Sequence, residues 1–210
     1  MGVHVLIADD HELFRHGLKL LLESALAAEH VEEAASLDEA LEKIAAAAAP
    51  PDLLILDLRM PGVSGAEAFS ALRDAFPRTR VVVMSASEDP ADILGALSGG
   101  VHGYVPKSLP TAQIEQALRD VLSGRIYAPA ALSQRQTMPA PRAEPAPDVE
   151  GLTGRQRDVL GELMRGLSSK EIARNLSIAE GTVKIHLAAI YRAVGVRTRA
   201  EAIARLSARR

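Results

Sequence analysis

Apolar residues recur along this chain in two rhythms. Short β-rich runs, "HVLIAD", "LLILDL", "RVVVMSA" and "HGYVPK", read as strands, and a weaker run in "HVEEAAS" joins them. Between the runs, apolar positions fall at helical spacing. Leu13, Phe14, Gly17, Leu18, Leu21 and Leu22 mark the first such segment, and 37 to 48, 65 to 75, 90 to 98 and 109 to 123 follow. Ser36 with Glu39, and Ser64 with Glu67, have the spacing of capping boxes. The five alanines at 45 to 49 continue a helix that Pro50 and Pro51 stop. Alternating strand and helix predicts an α/β unit, a five-stranded parallel sheet with helices on both faces.

The rhythm stops at Ala128. From there to Pro147 the chain has five prolines and only Leu132 and Met138 as large apolar residues, too few to bury a core. Extended at about 3.1 Å per residue, this stretch spans at most roughly 60 Å and tethers without fixing an orientation. Beyond it the pattern is all-helical, with segments near 153 to 165, 169 to 176, 180 to 193 and 198 to 208. The organisation read from pattern is therefore a first domain over 1–127, a linker over 128–147 and a smaller all-α domain over 148–210.

Charge sharpens that division. Residues 1–127 hold 10 Lys and Arg against 19 Asp and Glu, a net −9, whereas 148–210 hold 12 against 7, a net +5. A basic module beside an acidic one points to an anionic partner, nucleic acid being the commonest, although a solvated Arg-rich surface has the same composition. No apolar stretch approaches the roughly 20 residues that span a bilayer, and the first residues carry no basic leader, so neither membrane association nor export is expected and the reading is cytoplasmic. The absence of cysteine removes disulfides, thiolate nucleophiles and Cys-based zinc sites.

In an open parallel sheet, ligands sit at the carboxyl ends of the strands. Those ends deliver Asp9 and Asp10 from the first strand, Asp57 from the third, Ser85 from the fourth and Lys107 from the last. Each like-charged pair about 4 Å apart costs on the order of several kcal/mol at an effective dielectric near 20. Lys107 offsets one charge, and a hard divalent cation, Mg²⁺, suits the remainder. Taken singly, each acid has a plainer role, and Asp10 has the position of a helix N-cap. No Gly-rich turn follows the first strand, so a nucleotide-phosphate cradle is excluded. With a metal to orient it, the Asp57 carboxylate can attack phosphorus and become an acyl phosphate.

The segments "IADDHELFRHGL", "LLILDLRMPGVSG", "VVVMSAS" and "GYVPKS" resemble the receiver domain of bacterial two-component response regulators over residues 1 to about 125. The resemblance implies a doubly wound, flavodoxin-like sheet in which Asp57 accepts phosphate from a sensor histidine kinase. It further implies that Asp9, Asp10, Asp57 and the backbone carbonyl of Arg59 hold Mg²⁺, and that Lys107 contacts the phosphoryl group. Ser85 fills the position of the hydroxyl that turns toward the phosphate, and Tyr104 that of the aromatic whose rotamer follows it. By itself, Tyr104 is also an ordinary partly buried strand tyrosine.

In the C-terminal module, Thr153 with Gln156, Ser168 with Glu171 and Thr198 with Glu201 have capping-box spacing, while the third helix opens at Ala179 without a capping side chain. Val183, Leu187, Ile190 and Val194 form its inward stripe, and Thr182, Lys184, Ile185, Ala188 and Arg192 lie opposite. A short helix with a basic, bare outer face suits a major groove, and the preceding helix with the tight "LSIAE" completes a helix-turn-helix. A four-helix protein-binding bundle has the same outline. The stretch from Leu152 to Ile203 resembles the LuxR-type DNA-binding domain. That resemblance implies double-stranded DNA as partner, Lys184, Ile185 and Ala188 at base edges, and Lys170, Thr182 and Arg192 near phosphates. Ala188 stands where some relatives carry a polar residue, and alanine touches a thymine methyl but forms no hydrogen bond. His186 lies between the two faces and reads as packed or phosphate-facing rather than metal-binding.

The reading as a whole is a transcriptional response regulator of the LuxR/NarL type, not an enzyme, switched by phosphorylation at Asp57 and homodimeric when active. Two alternatives are a DNA-binding regulator that works without phosphorylation, and an Mg²⁺-dependent phosphatase with Asp57 as nucleophile. Against the phosphatase, the position two residues after the nucleophile, where such enzymes usually place a second acid, holds Arg59.

Overall fold

The computed structural model describes residues 2–26, 28–63, 65–129 and 151–207. Strands β1 (His4–Ala8), β2 (His30–Ala34), β3 (Leu53–Asp57), β4 (Arg80–Ser85) and β5 (Gly103–Pro106) form one sheet in the order β2-β1-β3-β4-β5, every pair parallel. Helices α1 (Glu12–Ala25) and α5 (Thr111–Leu122) cover one face. Helices α2 (Leu37–Ala46), α3 (Gly65–Ala75) and α4 (Pro90–Ser98) cover the other. Because both faces are buried, the inner strands are continuous apolar runs whose odd and even residues serve opposite cores. Leu54, Leu56, Val81, Val83 and Tyr104 join the α2–α4 side, and Leu53, Ile55, Val82, Met84 and Val105 the α1–α5 side. The strand order reverses between β1 and β3, so the chain leaves these two strands in opposite directions and opens a crevice at their carboxyl ends.

The second unit packs α6 (Gly154–Met164), α7 (Ser169–Leu176), α8 (Glu180–Val194) and α9 (Arg199–Ser207) around Leu152, Val159, Leu163, Ile172, Val183, Leu187, Ile190 and Ala202. Val183, Leu187 and Ile190 are the predicted stripe of α8, with Val194 partly buried at its end. Ser177 in the left-handed region (φ 54°) ends α7 and turns the chain into α8, whose N-cap Ala179 makes no side-chain bond.

Full capping boxes form at Thr153–Gln156 and Ser168–Glu171. At the other expected boxes the acid reaches one residue further back. Glu39 accepts from Ala35 N at 2.8 Å and Glu201 from Arg197 N at 2.9 Å, while Ser36 and Thr198 cap Glu39 N and Glu201 N. The Ser64 cap and all but the first two residues of the proline-rich stretch lie outside the described residues. Asp10 is not the N-cap of α1. That position is His11, whose amide is held at 2.9 Å by the Asp9 carboxylate.

The expected helix over 37–48 ends at Ala46, with Ala47 extended (φ −70°, ψ 144°). Pro50 disfavours helix at the residue before it, and the carbonyls left free by the early stop find another donor. Arg192 of α8 donates from its guanidinium to the carbonyls of Ile44 (3.0 Å), Ala47 (3.4 Å) and Ala48 (3.4 Å). The helical unit thus lies against α2 and α3, and Ile185 and Ala188 join the core cluster on that face of the sheet.

Candidate functional site

The crevice gathers what the strand ends deliver. Asp57, last residue of β3, and Asp9, one past β1, are each only 2% exposed. The Lys107 ammonium sits between them, 2.7 Å from Asp9 Oδ2 and 3.3 Å from Asp57 Oδ1. Its Nζ lies over the Phe14 ring, 4.6 Å from the centroid, and its amide donates to Ser85 O at 2.8 Å, which ties the end of β5 to that of β4. One lysine against two buried acids leaves the pocket short of positive charge. Burial raises the Asp57 carboxyl above its ordinary range and Asp9 adds to the effect, while Lys107 and the backbone N–H of Arg59 oppose it.

Donor atoms of Asp9, Asp10, His11 and Asp57 all lie within 4.8 Å of one another. Among the described residues Asp57 Oδ2, though buried, has no hydrogen-bond partner, which leaves it free to accept from a cation. The pocket therefore fits a hard divalent ion with oxygen ligands. Pattern reading missed His11, whose ring contacts Asp9 Oδ1 at 3.2 Å and Asp10 Oδ1 at 2.9 Å. Its place directly after the acid pair was the available signal.

Ser85 is fully buried, and its Oγ accepts from Ser87 N at 3.0 Å. Tyr104 is fully buried too, not partly buried, and its hydroxyl donates to Ser87 O at 2.7 Å. Burial raises that hydroxyl's pKa, so it acts as a donor. Ser87 Oγ donates to Asp92 at 2.6 Å, and Arg59 pairs with the same carboxylate at 2.7 Å. The Arg59 side chain is thus turned away toward α4, so the place where a phosphatase needs its second acid offers a guanidinium engaged elsewhere.

The predicted DNA face of α8 is not bare. Thr182, Ile185 and Ala188 are buried at 2%, 0% and 8%, and Lys184 is paired with Asp38 of α2 at 2.7 Å. That contact raises the Lys184 pKa and keeps it charged. Gly181 approaches the sheet domain so closely that a Cβ there would sit 1.7 Å from the Gly62 carbonyl oxygen. Ala188, a poor base reader, is small enough to let α8 press onto α2 and α3. Of the predicted DNA contacts only Lys170, on α7, is exposed. The roles of Gly62, Gly181 and Asp38 had no signal in the sequence, because they arise where two separately folded surfaces meet.

Comparison with known proteins bears on both halves. Residues 5–119 match the response regulator receiver domain, and residues 150–206 match the bacterial regulatory proteins of the luxR family. The chain belongs to the LuxR-type response regulators. Among relatives, it is 37% identical to the glycerol metabolism activator of Pseudomonas putida over 205 residues, covering 95% of this chain and 92% of that one. It is 36% identical to the nitrate/nitrite response regulator NarL of Escherichia coli K12, covering 94% and 92%. The receiver domain of the putative response regulator NarL from Mycobacterium tuberculosis superposes with a TM-score of 0.53 at 38% identity, over 59% of this chain and 98% of that one. This regulator is accordingly a DNA-binding transcriptional protein, and among its described residues no helix is long and apolar enough to cross a membrane.

His186 of the regulator is packed, 3% exposed, with Nδ1 unpartnered among the described atoms. Burial and Arg155 hold its pKa down to about 4 from 6.5, against a weaker opposing pull from Asp74 of α3. A depressed histidine pKa favours the packed form fully above 6.5, and that preference is lost as pH falls from there through 4. Acidification from pH 7 toward 5 is therefore expected to loosen the contact between the two units, seen as a growing radius of gyration in small-angle scattering. His186→Gln should flatten that response, and an equally steep profile in the variant would rule His186 out.

Proposed function

We propose that phosphorylation of Asp57 by a sensor histidine kinase switches this regulator between the closed arrangement and a DNA-binding one. The observation that carries the reading is the pairing of a buried, unpartnered Asp57 oxygen with a recognition helix held against the same domain. In the transfer step an Asp57 carboxylate oxygen attacks the phosphorus of the kinase phosphohistidine. The new O–P bond forms as the N–P bond breaks, and the imidazole leaves with the electron pair. Lys107, already 3.3 Å from Asp57, holds the charge that grows on the phosphoryl oxygens. Asp9, Asp10, Asp57 and the Arg59 carbonyl would hold Mg²⁺, which would supply the remaining charge neutralisation.

A phosphoryl group on Asp57 brings up to two negative charges and strong acceptors within reach of Ser85. Its hydroxyl turns to donate to that group and gives up Ser87 N, which frees the Ser87–Tyr104 latch. Tyr104, Phe69 and Ala96 share one packed cluster with Ile185 and Ala188, so a shift of the aromatic disturbs the surface that α8 rests on. Release exposes Thr182, Lys184, Ile185, Ala188 and Arg192 beside Lys170 for double-stranded DNA, and a homodimer places two recognition helices one helical turn apart. In this reading residues 1–127 are the cytoplasmic receiver, 128–147 the tether and 148–210 the DNA-binding domain.

DNA binding measured on a genomic fragment pool, with and without a small-molecule phosphodonor, tests the switch. Wild-type protein should bind more tightly after phosphodonor and Mg²⁺, and Asp57→Ala should not respond. An equal response in the alanine variant would overturn the proposal.

A further inference from the structure

At the end of the sheet opposite Asp57, three side chains converge that the phosphorylation chemistry does not use. His4 opens β1 and His30 opens β2, and the two are directly opposed in the parallel register. Glu32 lies two residues along β2, hence on the same face as His30. His4 Nε2 is 3.1 Å from Glu32 Oε1, His30 Nε2 is 3.2 Å from the same oxygen, and the two ring centroids are 5.0 Å apart. Ligand atoms of all three fall within 4.8 Å of one another.

We propose that His4, His30 and Glu32 form a binding site for a divalent transition ion of the zinc class. Two imidazoles and one carboxylate are a donor set that zinc takes with a fourth position open to water. Tetrahedral zinc with bonds of about 2.0–2.1 Å places neighbouring ligand atoms about 3.3 Å apart, close to what His4–Glu32 and His30–Glu32 already show. Both rings direct Nε2, not Nδ1, at the shared oxygen, so an ion replaces ring protons without turning either ring over.

The backbone under the site is ordered by the β1–β2 ladder, so binding immobilises only three side chains, two of them already largely shielded (His4 24% and Glu32 29% exposed). His30, 65% exposed, leaves the entry path open. Imidazole-rich donors disfavour Mg²⁺, which separates this site chemically from the carboxylate pocket at the other end of the sheet. A bound ion staples the edge strand β2 to β1.

The test is calorimetric titration of the full chain with zinc chloride, with Mg²⁺ in excess to occupy the acid pocket, followed by thermal melting with and without zinc. Wild-type protein should bind one zinc ion at micromolar concentration and melt at higher temperature with it. His30→Gln and Glu32→Gln should each weaken binding by about tenfold or more, because each removes a direct ligand. Asp57→Ala, which eliminates the phosphoryl switch, should bind zinc as wild type does, so the two proposals fail separately. Zinc affinity unchanged in His30→Gln, or no zinc uptake by wild type, overturns this site.

Discussion

Gly181→Ala should bind DNA without phosphodonor about as tightly as phosphorylated wild type. The new methyl group would stand 1.7 Å from the Gly62 carbonyl oxygen, a backbone atom that cannot swing aside, so the closed contact must part. Gly62 itself has a φ of 91° and sits in the turn after β3, which leaves it little room to adjust. Within the helical unit the same change is favourable, since alanine suits a helix better than glycine by about 1 kcal/mol. Apparent affinity falls by the fraction of molecules that are open, so a predominantly closed resting state makes the gain about tenfold or more. Gel-shift titrations of both proteins, before and after phosphodonor, measure it. The phosphorylated forms should coincide, and a variant that stays as weak as resting wild type would mean that this contact does not restrain DNA binding.

The second large effect concerns the acid pocket, where substitutions of opposite charge should move stability in opposite directions. Lys107→Met strands the buried carboxylates of Asp9 and Asp57. Breaking a buried pair by removing one partner costs about 3 kcal/mol or more, equivalent to a fall of about 10 °C in Tm for a domain of this size. Added Mg²⁺ should recover much of that loss. Asp57→Asn should do the reverse in Mg²⁺-free buffer. Since burial raises the Asp57 pKa, the fold prefers the protonated acid, and that stability is present at low pH and lost as pH rises through the folded value. At neutral pH the asparagine variant is therefore expected to melt higher than wild type, with the gap closing as pH drops below the ordinary carboxylate range. Thermal melts over pH with and without Mg²⁺ read both arms, and a Lys107→Met protein as stable as wild type would mean that the acids are not held as a charged cluster.

Much of the receiver was legible because its signals are local. Each strand end is announced by an apolar run meeting a polar residue, and a parallel sheet sends all such ends to one edge, so Asp9, Asp57, Ser85 and Lys107 were placed together by topology alone. Helix starts at Thr153 and Ser168 followed from side chains that cap amides three residues away. The failures were only partly local in cause. The alanine run was carried too far because its free carbonyls found a distant donor in Arg192, and two acids reached one amide beyond the expected one.

What no pattern along the chain contained is the relation between surfaces that fold separately. The amino-acid order determined two modules, their elements and the chemistry at one sheet edge, since 2.0 and 3.6 residue periodicities and capping are interactions among near neighbours. Tertiary structure alone decided that Ile185 and Ala188 rest on the receiver, that Gly181 meets Gly62, and that His4 and His30 face each other across a strand pair. Such contacts depend on register and shape complementarity between segments up to 148 residues apart, as between Arg192 and Ile44, and only the folded chain brings them within bonding distance.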